Sequence, residues 1–323
     1  MSNSVTESEH FVLQEVAPAA YAALGREGSP TFSNAGIVDL GDQTLVLDAF
    51  ELPAAAADLR AAAEGLTERG ATAVILSHVH GDHSVGLQAF APETPVLSSP
   101  AIRANLPGAV GWIREFQKDP AELEAALEEE RTRLAGTPDG PERAGVARTV
   151  ARLAGMLAAL PGLTFRLPDV TFEGSLVFYG ARRRVEVHTV EPGHTASDVY
   201  LLLPDDGVCF MGDLGFFGSQ PFMAFCDPDA WIAWLAEAEG WDVEVFVPGH
   251  GPVGGKADLA RQRRYIAALE AMVGEVVAGG GDVEEALGQT LPAFEDWIAA
   301  GPGRWEANVR SAYERQVEAP VEG

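Results

Sequence analysis

The sequence predicts an α/β protein: one domain in which two β-rich halves are flanked by helices and separated by a helical insertion. Three observations carry that reading. Short apolar, β-branched runs closed by Gly or Pro recur in both halves. Long stretches of strong helix formers lie around them. Between about residues 107 and 161 the strand signal gives way to helical pattern.

In order along the chain, "FVLQEV" (Phe11–Val16) and "AGIVDLG" (Ala35–Gly41) read as strands, and "QTLVLDAF" (Gln43–Phe50) follows a tight Gly-Asp turn. "PAAAADLRAAAEGLTERG" has Pro at its start, Gly at its end and helix formers between. "ATAVILS" is a short apolar run, hence a buried strand. In the insertion, "DPAELEAALEEERTRLAG" places acidic residues early and Arg late, matching the helix dipole. "GPERAGVARTVARLAGMLAAL" repeats the pattern, so the pair predicts a helical hairpin that narrows or covers a pocket. Strand signals return in "LTFRL", "VTFEG", "SLVFYG", "RRVEVHTV", "DVYLLLP" and "GVCFMGD". "PDAWIAWLAEAEG" is helical, "VEVFVPG" is a strand, and residues 256–323 form a C-terminal helical extension. No repeat at a solenoid period is present.

The chain has 323 residues, 47% of them hydrophobic, with a formal charge of −26. That is enough apolar material for a sizeable core. So acidic a chain is expected to repel nucleic acid and anionic membrane. No apolar run reaches the roughly 18 residues of a membrane span. The polar, acidic start "MSNSVTESEH" lacks the pattern of an export signal, which predicts a cytoplasmic protein. Two cysteines, Cys209 and Cys226, are too few for a disulfide framework and fit a reducing compartment. Composition is silent on oligomeric state.

The chemistry concentrates in "VILSHVHGDHSVG" (Val74–Gly86). In extended chain, side chains two apart point the same way, so His78 and His80 can reach one ion together. Gly81 lets the chain turn, and Asp82 and His83 follow in that turn, where they can face a second ion. Three later segments share one grammar, in which a strand is followed by Gly and then a metal-capable side chain: His194 in "EPGHTASD", Asp213 in "CFMGDLGFF" and His250 in "VFVPGHGPV". Independent strands would thus deliver ligands to one rim of the sheets. Imidazole and carboxylate suit Zn²⁺, and iron or manganese also accept this mixed set.

On these motifs, "HVHGDH", "GHT", "GD" and "PGHG", the chain resembles the metallo-β-lactamase fold superfamily of metal-dependent hydrolases. The resemblance covers nearly everything outside the helical hairpin and the C-terminal helices. It implies an αββα four-layer sandwich with a dinuclear site at one edge and two zinc ions per chain. Carried over by position, His78, His80 and His194 would hold the first metal, Asp82, His83 and His250 the second, and Asp213 would bridge them. Two ions ~3.5–4 Å apart share a water and bring its pKa near neutral. The hydroxide would attack the carbonyl of a small-molecule cyclic ester, amide or thioester, with Asp82 as the catalytic proton handler. Asp48 and Asn34 are candidates to hydrogen-bond the imidazoles from behind.

Within the superfamily the motifs point to the glyoxalase II-like and lactonase-like branch. The bridging Asp is present, and Cys209 lies inside an apolar strand, where it reads as a small buried hydrophobe. Flavin-partnered di-iron members carry Glu where His80 stands. The alternative on the same fold is a persulfide dioxygenase-like oxidoreductase with one iron. Arg261, Arg263 and Arg264 are candidates for glutathione binding or a solvated helix face. Trp112, Phe116, Phe216, Phe217 and Phe222 are candidates for an apolar substrate wall. His10 reads as a tail residue, His188 as a strand-face residue, and Arg182–Arg184 as a charged, exposed sheet edge.

Overall fold

The computed structural model describes residues 8–26, 28–300 and 302–318. Among these residues twelve strands form two sheets. The first contains β1 (Phe11–Ala17), β2 (Ala20–Gly25), β3 (Ala35–Asp39), β4 (Thr44–Leu47), β5 (Ala73–Ile75), β6 (Val96–Ser98) and β7 (Val170–Thr171), in that spatial order. Pairing is antiparallel from β1 to β4 and parallel from β4 to β7. The second contains β8 (Ser175–Tyr179), β9 (Arg184–Val190), β10 (Asp198–Leu203), β11 (Val208–Phe210) and β12 (Val245–Val247). These run β12-β11-β10-β9-β8, antiparallel except for the β11–β12 pair.

The period-2 alternation of the second sheet explains the layering. Val199, Leu201 and Leu203 of β10, Val208 and Phe210 of β11, and Val247 of β12 pack with Ile37, Val46 and Val74 of the first sheet in one core. Their neighbours Tyr200, Cys209 and Phe246 point the other way, into a second core with Trp231, Leu259 and Tyr265. Those residues belong to the helices Pro228–Glu239 and Lys256–Ala278. On the outer face of the first sheet, the helix Pro53–Thr67 buries Ala55, Leu59 and Ala62. The order is therefore helix, sheet, sheet, helix, an αββα sandwich. Each fully buried Phe or Leu contributes roughly 1.5–3 kcal/mol, so the two apolar layers dominate its stability.

The helices Trp112–Lys118, Ala121–Gly136 and Pro141–Ala159 lie between β6 and β7. Among the described residues no helix is long and apolar enough to cross a membrane. Some local expectations fail. "LTFRL" is not a strand, and of "VTFEG" only Val170–Thr171 pairs. β2 is Ala-rich and carries little strand signal, yet it pairs on both sides, so tertiary pairing overrides propensity. His10 is not a loose tail residue: it is buried and its Nδ1 lies 2.9 Å from Asp58 Oδ2. Arg182–Arg184 do not guard an edge, because β8 covers β9 on that side. Arg183 instead pairs with Asp206 and Arg182 with Asp39.

Candidate metal centre

The ends of β4, β5, β9, β11 and β12 all reach one rim of the sandwich. Past β4 the backbone turns left-handed at Asp48 (φ 61°), a conformation that Asp tolerates better than most residues. Past β5 the chain runs through Ser77, His78 and His80 into the short helix Gly81–Ser84, which carries Asp82 and His83. The loop after β9 carries His194, the turn after β11 carries Asp213, and the loop after β12 carries His250. Two glycines make these turns sterically feasible. Gly212 sits at φ 52°, and a Cβ on Gly249 would lie 2.0 Å from Asp213 Oδ1.

All seven side chains singled out from the sequence converge. His78, His80, His194 and Asp213 form one group, and Asp82, His83 and His250 a second; within each group the ligand-capable atoms lie within 4.8 Å of one another. His78 Nε2 is 3.0 Å from His80 Nδ1, and His194 Nε2 is 3.1 Å from the same His80 atom. In the second group His250 Nε2 is 3.2 Å from Asp82 Oδ2 and 3.5 Å from His83 Nε2. Asp213 stands between the groups. Its Oδ2 is 3.5 Å from His78 and 3.4 Å from His194, while its Oδ1 is 3.0 Å from His83 Nε2.

The outer nitrogens show what faces inward. His83 Nδ1 lies 2.8 Å from Asp48 Oδ2, and His250 Nδ1 lies 3.1 Å from the Phe32 carbonyl oxygen. Both acceptors lack a proton, so each ring donates outward from Nδ1 and directs its Nε2 to the centre. Ser77 Oγ donates to Asp48 Oδ2 (2.7 Å) and lies 2.9 Å from His78 Nδ1, which fixes His78 the same way. His78 Nε2 and His194 Nε2 both crowd the single His80 Nδ1, and a cation among the three nitrogens would engage all of them. Asp213 Oδ1 is buried without a hydrogen-bond partner despite its proximity to His83. This donor set therefore fits divalent metal ions.

The buried carboxylates and imidazoles shift one another, and the carboxylates favour a proton on the inner nitrogens of His83 and His250 until a metal displaces it. Burial, reinforced by His78, pushes His80 down to about 3. Burial also pushes His250 down, but Asp213 and Asp82 outweigh it and lift the ring to about 9. His83 is likewise raised by Asp213, Asp82 and Asp48 against its burial. Burial would raise both Asp82 and Asp213, yet the surrounding imidazoles hold them well below the usual carboxylate range. Cys209 takes no part: it is buried in β11, and burial pushes its thiol up.

Asp48 supports an imidazole directly. Asn34 does not; its Nδ2 donates to the Pro248 and Gly251 carbonyls and so grips the loop that presents His250. The aromatic candidates divide. Phe216 stacks on His250 (4.8 Å, 13°) and Phe222 lies 5.8 Å from His80, while Phe217 is core. Trp112 approaches Gly81, and Phe116 packs on Trp112 (5.9 Å). Sequence reasoning missed Ser77, Phe32 on the other face of His250 (5.4 Å), and exposed Phe225 beside His80 (5.8 Å). Arg261 and Arg263 pair with Asp296 and Glu239, a solvated helix face. A cavity of about 580 Å³ opens beside His250, between the hairpin helices and the C-terminal helix.

A family model of the metallo-beta-lactamase superfamily matches residues 28–250. The chain belongs to that superfamily. No curated protein matches the chain. Among solved structures, the stereoselective inverting sec-alkylsulfatase Pisa1 from Pseudomonas sp. is similar, with TM-score 0.65 and 19% identity. The match covers 96% of this chain and 50% of that one, so the chain spans about half the alkylsulfatase's length. The metallo-beta-lactamase from Pontibacter korlensis has TM-score 0.56 and 17% identity, covering 80% of this chain and 99% of that one. The mono-zinc form of the metallo-beta-lactamase FIM-1 from Pseudomonas aeruginosa has TM-score 0.55 and 15% identity, covering 80% and 95%. At these identities the likeness is one of fold.

Proposed function

We propose that the protein is a dinuclear, zinc-dependent hydrolase of a small cyclic ester, amide or thioester. The observation that carries the reading is the division of seven converging side chains into two groups that share Asp213. In this reading His78, His80 and His194 would hold one ion and Asp82, His83 and His250 the other, with Asp213 placed between the two groups. Bound divalent ions supply Lewis acidity toward the carbonyl and toward water. The chain supplies the rest. Asp48, Ser77 and the Phe32 carbonyl keep the outer imidazole nitrogens protonated, so the inner ones stay available. The Asp82 side chain is 16% exposed, a position from which its carboxylate would take a proton from the attacking side and return it to the leaving atom. Phe222, Phe225 and Trp112 screen the site and offer an apolar face to the substrate.

The test is a hydrolysis screen of the zinc-loaded protein on thioesters, lactones, β-lactams, phosphodiesters and sulfate esters, with His80→Ala as blank. Turnover of a cyclic ester, amide or thioester that the blank lacks is expected. If wild type and blank agree on every class, the enzymatic reading is withdrawn. In the active assay, Asp82→Asn is expected to lower kcat by about 10²–10⁴-fold.

A further inference from the structure

The charge of the cavity beside His250 is inverted relative to the chain. The whole protein carries −26, yet besides His250 the charged side chains lining this cavity are four arginines, Arg133, Arg148, Arg152 and Arg304, against a single carboxylate, Glu142. Two of the four are already answered. Arg133 pairs with Glu142 and Glu130. Arg152 makes a bidentate pair with Glu51. Among the described residues Arg148 and Arg304 have no carboxylate partner. The Nε of Arg148 is buried without a hydrogen-bond acceptor. The guanidinium of Arg304 lies over the Phe222 ring (4.8 Å) and near that of Phe216 (6.0 Å), the same rings that touch His80 and His250.

We propose that Arg148 and Arg304 form an oxyanion-binding subsite beside the metal centre, and that the substrate carries a carboxylate or sulfur oxyanion on an arm which they hold. Where the other guanidinium charges nearby are matched, these two line an open cavity of about 580 Å³ without a carboxylate partner. A planar guanidinium with fixed donors suits a carboxylate or a sulfur oxyanion, and its burial against aromatic rings strengthens the attraction. The adjacent Phe222 and exposed Phe225 receive the apolar part of the same molecule. Arg148 comes from the hairpin helix Pro141–Ala159 and Arg304 from the helix Pro302–Glu318, both outside the family-matched residues 28–250 or inserted within them. The subsite thus draws on the hairpin and on a helix that follows the family-matched residues. It rests on the hydrolase reading only in calling the bound molecule a substrate.

The test is calorimetric binding of three non-reacting probes to the purified, zinc-loaded full chain: 4-phenylbutyrate, 2-phenylethanesulfonate and neutral 4-phenylbutanamide. At least one anion is expected to bind about tenfold or more tighter than the amide. The preference should vanish in R148Q/R304Q, weaken in R148Q alone and largely persist in R304K, with zinc content and circular dichroism unchanged. The sulfonate is a poor metal ligand, so its behaviour separates the arginines from the ions, and the better anion assigns the oxyanion class. Equal affinity for anion and amide overturns the proposal. So does a preference that survives R148Q/R304Q, because the anion then sits on the metals. A protein that shows the preference but hydrolyses nothing keeps the subsite and loses the hydrolase reading; the reverse result does the opposite.

Discussion

Asp48 Oδ2 accepts from Ser77 Oγ and from His83 Nδ1, and Ser77 in turn meets His78. One carboxylate therefore sets the tautomer of a ring in each metal group. Asp48→Ala is expected to weaken zinc binding by about 10–100-fold, read by competition with a chromogenic chelator; an unchanged affinity contradicts the tautomer argument. The pH dependence has a fixed sign. A metal must displace the proton that the carboxylates hold on His250, so zinc affinity should rise as pH climbs from the usual histidine value of 6.5 to about 9, with proton release on binding. Affinity flat across that window speaks against metal on His250. At this scale the seven ligand candidates were legible because each is a metal-capable side chain at a strand end. Ser77, Phe32 and Phe225 were not, because a serine or a phenylalanine acquires such a role only from neighbours brought together by the fold. Asn34 shows the same limit: its residue type was noticed, but only the structure shows it holding a loop and not a ring.

At the scale of the element, the turn after β12 is the tightest fit. A methyl on Gly249 would strike Asp213 Oδ1 at 2.0 Å, while the amide of Gly249 donates to Gly212 O (2.6 Å). Gly249→Ala should therefore empty the metal site while the sheets, whose cores lie elsewhere, stay folded. Metal analysis beside circular dichroism checks this, and full zinc content in the variant contradicts it. The recurrence of Gly before Asp213 and His250 was readable in sequence because the steric demand falls on that position. β2 was unreadable for the opposite reason: "AYAALG" has little strand propensity, and pairing with β1 and β3 decides its state. "LTFRL" erred the other way: it alternates in pattern but pairs with no strand.

At the scale of the molecule, the αββα order followed from the family motifs and from the two β-rich halves, whereas the place of the hairpin did not. That place depends on a contact 101 residues apart in sequence, between Glu51 beside the metal centre and Arg152 on the hairpin helix. The Glu51 side chain is 6% exposed, so Arg152→Met leaves a buried carboxylate without its partner. Amide protection in the helix Pro141–Ala159 is expected to fall by about 2 kcal/mol of opening free energy, with the sheets unaffected. Unchanged protection means that the hairpin is held by other contacts.

The central claim is that distant strands place two metal ions at one rim. The most direct measurement is anomalous scattering at the zinc edge from crystals of the zinc-equilibrated protein. The account predicts two peaks, one among His78, His80 and His194 and one among Asp82, His83 and His250, each about 2.0–2.1 Å from the imidazole nitrogens and both within reach of Asp213. A single peak, or peaks away from these side chains, would contradict it.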